Sequence, residues 1–301
     1  MISNQKCCYC NKFVKCYTLR SEENTLFFVC LDCFINKIGK DFQLCPYCEK
    51  IYMAHGKEKC DICVVLTDIN PYHYKPQSIF YNMSDENTEL FVGIELEINF
   101  DTIKNLANFI RCNKNEFCYF KHDGSIGGNG VEIVSHPATF IYHLKNNMWK
   151  RMFEFFDKVT DTKNCGLHFH LSKKYFNDKE ITLLDKLINK YPYIASQIGS
   201  RKLAGYCALQ NYSTKFGLDR NCKSHTDACN LLNPYTIELR FCKSTNNYST
   251  FIKKIKMIYI LIMFVKNIYK YNYDVLIDDD NNKQFLYKAF EHFKGELLSR
   301  I

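Results

Sequence analysis

Val92-Gly93-Ile94-Glu95-Leu96-Glu97-Ile98-Asn99 puts an apolar residue on every even position and Gly, Glu, Glu and Asn on the odd ones. A period of two marks a half-buried β-strand, and it turns Glu95 and Glu97 to the same side. The same grammar recurs further along the chain. In Cys165 to Ser172, Leu167, Phe169 and Leu171 share one face while His168 and His170 share the other. In Thr236 to Phe241, Ile237, Leu239 and Phe241 point inward and Glu238 and Arg240 outward; Val131-Glu132-Ile133 repeats the theme. One strand of this kind says little, because the outer face of any antiparallel sheet is polar and a solvated face explains Glu95 and Glu97 alone. The residue types say more: three further strands add Glu, His, His, Glu and Arg, with few of the Thr, Ser or Lys of an idle surface. If these strands adjoin, their carboxylates repel one another unless a divalent cation sits among them. Carboxylate oxygens with an imidazole suit Mg²⁺ or Mn²⁺ better than zinc. Such ions beside an arginine are suited to a nucleoside triphosphate, bridging phosphate oxygens while the arginine stabilises the transferred phosphoryl group.

The text around these strands predicts an α+β domain. Asp101 to Phe117 reads as a helix capped by Asp101, with Ile103, Leu106, Ala107 and Ile110 at helical spacing. Lys121 to Gly130 is a glycine-rich turn leading into the Glu132 strand, with Asp123 at its mouth. It matches neither the P-loop nor the dinucleotide fingerprint and reads as a tight hairpin. Amphipathic helices are expected over 139–159, 179–198, 249–271 and 282–298.

The opening of the chain is of another kind. Ten of the seventeen cysteines precede residue 64, and eight form four C-x-x-C pairs: Cys7 and Cys10, Cys30 and Cys33, Cys45 and Cys48, Cys60 and Cys63. Two residues between thiolates let both sulfurs reach one tetrahedral ion, so residues 1–63 read as a module with two closed, structural zinc sites. Disulfides are the rival reading; they need an oxidising compartment, and the absence of an apolar leader before Cys7 points instead to a reducing, cytoplasmic one. A strand over Phe27 to Val29 and a short helix after Cys33 favour sequential pairing, as in treble-clef fingers, with a cross-braced arrangement as the alternative. Cys8, Cys16 and His55 are spare candidates that read better as packing or surface. A segment this small depends on metal for much of its folding free energy. Residues 64–89, with Pro71 and Pro76, read as a linker to a domain over 90–301.

Composition bounds the partners. The 301 residues carry a formal charge of +8, spread along the chain, and eight zinc-bound thiolates on two ions would lower it to +4. That argues against nucleic acid as a partner. The longest apolar run, Met257 to Val265, falls well short of the ~20 residues that cross a bilayer, so no membrane role is expected.

The ordered set G-I-E-L-E (93–97), D-G-S (123–125) with V-E-I-V-S-H-P (131–137), C-G-L-H-F-H (165–170) and T-I-E-L-R-F (236–241) resembles the amidoligase family of the glutamine synthetase and glutamate-cysteine ligase superfamily. That family is known largely from phages and mobile elements, which suggests a virus- or phage-encoded protein. The likeness spans roughly residues 90 to 250 and leaves the zinc module outside. It implies an antiparallel half-barrel sheet with helices on its outer face, two divalent metals and ATP on the concave face. By the same resemblance one metal takes Glu97 and Glu132, with Asp123 as a further ligand, and the other Glu95, His168 and Glu238. Arg240 would bind phosphate, Arg201 would contact phosphate or a substrate carboxylate, and His170 would either stand behind the metal ligands or face substrate. Plain alternatives are a solvated Arg201 and an ordinary strand His170. In one departure, Ser244-Thr245 stands where the family commonly shows Gly-Thr, so the backbone there is expected to turn differently.

The activity this implies is ATP-dependent ligation of a carboxylate to an amine through an acyl phosphate. The substrate would be a protein, peptide or amino acid recruited by the zinc module. It needs no protein nucleophile, so Cys165 reads as a buried strand residue. The rivals are a guanidino or amine phosphotransferase of the same fold, and a non-catalytic, virion-associated interaction protein.

Overall fold

The alternation from Val92 onward becomes the central strand of a large sheet. The structure, a computed structural model, describes residues 2–20, 26–38, 42–44, 51–53, 60–83, 89–156, 160–209, 226–270 and 283–299. The chain divides into two units, Met1–Thr67 and Asp68–Ile301.

In the first unit β1 (Ile2–Lys6), β2 (Phe13–Arg20) and β3 (Leu26–Cys30) form an antiparallel sheet with β2 in the middle. β3 runs straight into the single turn α1 (Leu31–Cys33) and a wider helical turn over Phe34–Ile38. A second ribbon pairs β4 (Phe42–Leu44) with β5 (Ile51–Met53), and α2 (Asp61–Leu66) follows Cys60. Cys45, Cys48 and His55 lie outside the described residues.

In the second unit the expected linker is partly structured. β6 (Ile69–Asn70) pairs in parallel with the strand that carries Lys121, and Tyr81 bridges to Ala138. The remaining elements are β7 (Val92–Phe100), α3 (Ile103–Asn113), β8 (Cys118–Lys121), β9 (Asn129–Ser135), α4 (Phe140–Lys145), α5 (Asn147–Phe156) and β10 (Thr160–Asp161). They are followed by β11 (Gly166–Ser172), α6 (Asp178–Lys190), α7 (Pro192–Gly199), β12 (Cys229–Asn230), β13 (Thr236–Lys243), α8 (Tyr248–Lys270) and α9 (Lys283–Leu298). The sheet order is β12-β13-β11-β7-β9-β8-β6, with β10 beside β7, and every pairing except β6 with β8 is antiparallel.

One face of this sheet is oily. Ile94, Leu96, Ile98, Ile133, Leu167, Phe169, Ile237 and Leu239 are all buried. A relay of rings runs through the core with centroids about 5 Å apart, from Phe100 to Phe109, Phe156, Phe153, Phe251 and Trp149. The Trp149 indole donates to His143 Nδ1 at 3.2 Å, which leaves His143 Nε2 to donate to the Val92 carbonyl at 2.8 Å. That relay anchors the first residue of β7 to α4.

Local chemistry moves several expected boundaries. Thr102, not Asp101, caps α3: its hydroxyl accepts from the Asn105 amide at 3.2 Å, and Asp101 instead accepts from the Asn105 side chain at 2.8 Å. The helix expected over 139–159 is broken at Asn146, whose side chain accepts from the Met148 amide and starts α5. The one expected over 179–198 is divided at Tyr191, because Pro192 supplies no amide for a continuing helix.

β13 departs from simple alternation. Leu167 pairs with Cys242 and Phe169 with Leu239, so two steps on β11 match three on β13. The extra residue is a β-bulge, with Arg240 and Phe241 together opposite His168. Beyond it the parity reverses, and Cys242 is buried alongside Leu167. Gly199 presses on this bulge: a Cβ there would fall 2.0 Å from the Phe241 carbonyl oxygen. Lys254 of α8, itself buried, donates to the Gly199 carbonyl at 2.7 Å and holds the end of α7 in place.

Candidate metal and substrate site

Register places residues of six strands in rungs. Lys121, Glu132 and Glu97 lie side by side on β8, β9 and β7; Tyr119, Val134, Glu95 and His168 form the next rung; Gly93, His170, Glu238 and Asn230 the third. The rungs gather two groups of ligand-type atoms. One atom each from Glu95, His168 and Glu238 lie within 4.8 Å of one another, and so do one each from Glu97, Glu132 and His168. His168 belongs to both. Its Nδ1 is 3.4 Å from Glu95 Oε2 and 3.9 Å from Glu238 Oε1, and its Nε2 is 3.8 Å from Glu97 Oε1.

The surroundings fix these side chains. The Gly166 amide donates to Glu97 Oε2 at 2.5 Å, the Asn230 side chain donates to Glu238 Oε2 at 2.7 Å, and Lys121 Nζ lies 2.9 Å from Glu132 Oε2. Arg240 pairs with Glu238, and His170 Nε2 lies 3.2 Å from Glu95 Oε1. At Ser244 the backbone has no positive φ, and the hydroxyl donates to the Glu97 carbonyl at 2.5 Å.

Two expected residues lie apart from this assembly. Asp123 belongs to neither ligand group; its Oδ1 accepts from the Ser125 amide and hydroxyl, both at 2.7 Å, which fastens the turn. Arg201 follows α7, where its charge is felt by Cys242 and Lys254, and among the described residues it pairs with none of Glu95, Glu97, Glu132 or Glu238. Conversely, Asn230, Lys121 and Gly166 join the assembly beyond the residues expected from sequence. Lys121 was legible in principle, since Tyr119 and Lys121 alternate with the buried Cys118 and Phe120 on β8. Asn230 sits on a two-residue strand with no pattern to read.

The electrostatics are those of crowded carboxylates. Burial works against ionised Glu95, but the charge and hydrogen bonds of His170 and His168 hold it well below the usual carboxylate range. Glu132 goes the other way: burial and the charge of Glu95 push it up to about 8 against the pull of Lys121. Burial opposes a charged His170, yet Glu95 and Glu238 outweigh it and raise the imidazole to about 9. The donor set, carboxylates with one imidazole converging from three directions, fits hard divalent ions such as Mg²⁺ or Mn²⁺, whose charge would relieve this repulsion.

Gly166 is required by the geometry. A Cβ at this position would stand 2.5 Å from His168 Nε2 and 3.3 Å from its Cδ2 and Cε1. Gly166→Ala should therefore swing the ring out of both groups and weaken divalent-ion binding about 10- to 100-fold, with the fold retained. Isothermal titration with Mn²⁺ beside the fluorescence of Trp149 checks this, and unchanged ion affinity would count against the placement of His168.

The N-terminal unit holds a separate group. Cys7, Cys10, Cys30 and Cys33 present sulfurs within 4.8 Å of one another. Cys10 and Cys30 sulfurs are 3.7 Å apart, against ~3.8 Å expected for a tetrahedral edge with Zn–S bonds of ~2.3 Å. Burial resists ionisation of Cys7, but the amides of Cys30, Cys10 and Tyr9 draw its thiol down to about 6. The group fits a closed zinc site and joins the first two C-x-x-C pairs. Cys60 and Cys63 are buried at the start of α2; their expected partners fall outside the described residues.

Among the described residues no helix is long and apolar enough to cross a membrane. No family model and no curated protein matches the sequence.

Proposed function

We propose that the second unit is an ATP-dependent carboxylate-amine ligase of the glutamine synthetase-like kind. The observation that carries this is the imidazole of His168 shared between two carboxylate groups, with Arg240 in the same rungs. Glu97, Glu132 and His168 would hold one divalent ion and Glu95, His168 and Glu238 the other. Bound there, Mg²⁺ or Mn²⁺ would neutralise phosphate oxygens of ATP. The antiparallel sheet, with ligand-type side chains gathered on one face and a buried apolar row on the other, supports the half-barrel reading.

The chain's own groups have defined tasks in this proposal. Arg240, now paired with Glu238, is the cation that stabilises charge on the γ-phosphoryl group. Asn230 and the Gly166 amide keep Glu238 and Glu97 from rotating. His170, raised to about 9, is a hydrogen-bond donor at neutral pH and not the base that takes a proton from the amine. A substrate carboxylate oxygen attacks the γ-phosphorus and ADP leaves; the amine then attacks the acyl carbon, loses a proton, and phosphate leaves as the amide forms. The tetracysteine unit would bring in a peptide or protein substrate.

The test is free phosphate release from ATP by the full chain, with candidate carboxylates and hydroxylamine as amine probe. The expected result is release that depends on Mg²⁺ or Mn²⁺ and rises with hydroxylamine. ATP consumption with all phosphate retained on a nitrogen acceptor would shift the reading to a phosphotransferase. A folded protein that binds divalent ions but no ATP would overturn both.

A further inference from the structure

Two cations touch the carboxylate groups from opposite sides, Arg240 on β13 and Lys121 on β8. Lys121 is the more sheltered: its side chain is 12% exposed, that of Glu132 only 4%, and their charged atoms are 2.9 Å apart. On its outer side the ammonium lies 5.4 Å from the centre of the Tyr72 ring, which is exposed. Glu132 is also one of the three groups that converge with Glu97 and His168. A divalent ion at that position and an ammonium this close to the same carboxylate repel each other at short range in a poorly hydrated site.

We propose that Lys121 is a built-in competitor for the ion at Glu97, Glu132 and His168. It neutralises Glu132 while no ion is bound. When an ion takes Glu132, the ammonium moves off that carboxylate and stays over the face of Tyr72, where a cation is attracted to the ring. There, at the exposed edge of the rung, it is available to an anionic oxygen of the substrate. Lys121 thereby orders the binding steps, ion first and anion second. This rests on the two-ion reading of the site, and the experiment separates the two.

Mn²⁺ binding to the full chain is measured without nucleotide, by the electron paramagnetic resonance of free ion, for wild type, Lys121→Met and Lys121→Arg. Lys121→Met should keep two ions and bind the weaker one about tenfold more tightly, as expected when a close charge is removed; Lys121→Arg should stay near wild type. Equal or weaker binding by Lys121→Met overturns the proposal. Wild type binding no Mn²⁺ would sink the two-ion reading itself. A second measurement needs no variant: the rate at which an amine-acylating reagent labels Lys121 should rise severalfold with Mn²⁺, and an unchanged rate also overturns it.

Discussion

Exchanging His168 for alanine is expected to abolish binding of both divalent ions and to lower metal-dependent phosphate release about a thousandfold. The imidazole is the one member common to the two ligand groups, with Nδ1 toward Glu95 and Glu238 and Nε2 toward Glu97. Removing it leaves each group with two carboxylates that repel one another. Glu238→Gln, by contrast, should cost one ion, and His170→Gln neither, because His170 belongs to no group. Mn²⁺ stoichiometry by titration reads all three. A His168→Ala protein that still binds two ions at wild-type affinity would mean that the carboxylates act without it.

The second large effect concerns the first unit. Among the described residues, the buried cluster beneath β1–β3 is Cys7, Cys16, Val29, Cys30, Cys33 and Phe34; three of these six are sulfur ligands of one group, and little other apolar surface is seen to hold the three strands together. Metal binding in modules of this size contributes on the order of 10 kcal/mol or more to folding. Stripping the metal with a chelator, or Cys33→Ser, should therefore unfold β1–β3, seen as loss of amide protection against hydrogen exchange and as newly reactive thiols. Trp149 reports separately on the second unit, since it is the only tryptophan and is buried in that unit's own ring relay. Its fluorescence should not change. Persistent protection of β1–β3 in metal-free protein would show that packing alone suffices there.

Much of this site is legible in the sequence itself. Glu95, Glu97, Glu132, His168 and Glu238 stand on strands whose alternation names the face, and antiparallel register then brings them together. Four strands announce themselves because each also buries a continuous apolar row. Asp123 and Arg201 were harder, since both sit where no period operates: one in a turn that uses its own carboxylate, the other just past the end of a helix. The cysteine pairs were legible for a different reason, as two residues between thiolates is a metal-ligand spacing in itself. Helix ends were less so: Thr102 and Asp101 are both good caps, and only the backbone entry angle decides between them.

The inserted residue at Arg240 and Phe241 carries a lesson for anyone reading related chains. Upstream of it odd-numbered residues of β13 belong to the interior; downstream Cys242 does, and Lys243 is spared burial. A relative that lacked the extra residue would keep the same ordering, cysteine inward and lysine outward, in an unbroken alternation. Any alignment of this strand should therefore open a one-position gap before trusting which side chains are equivalent.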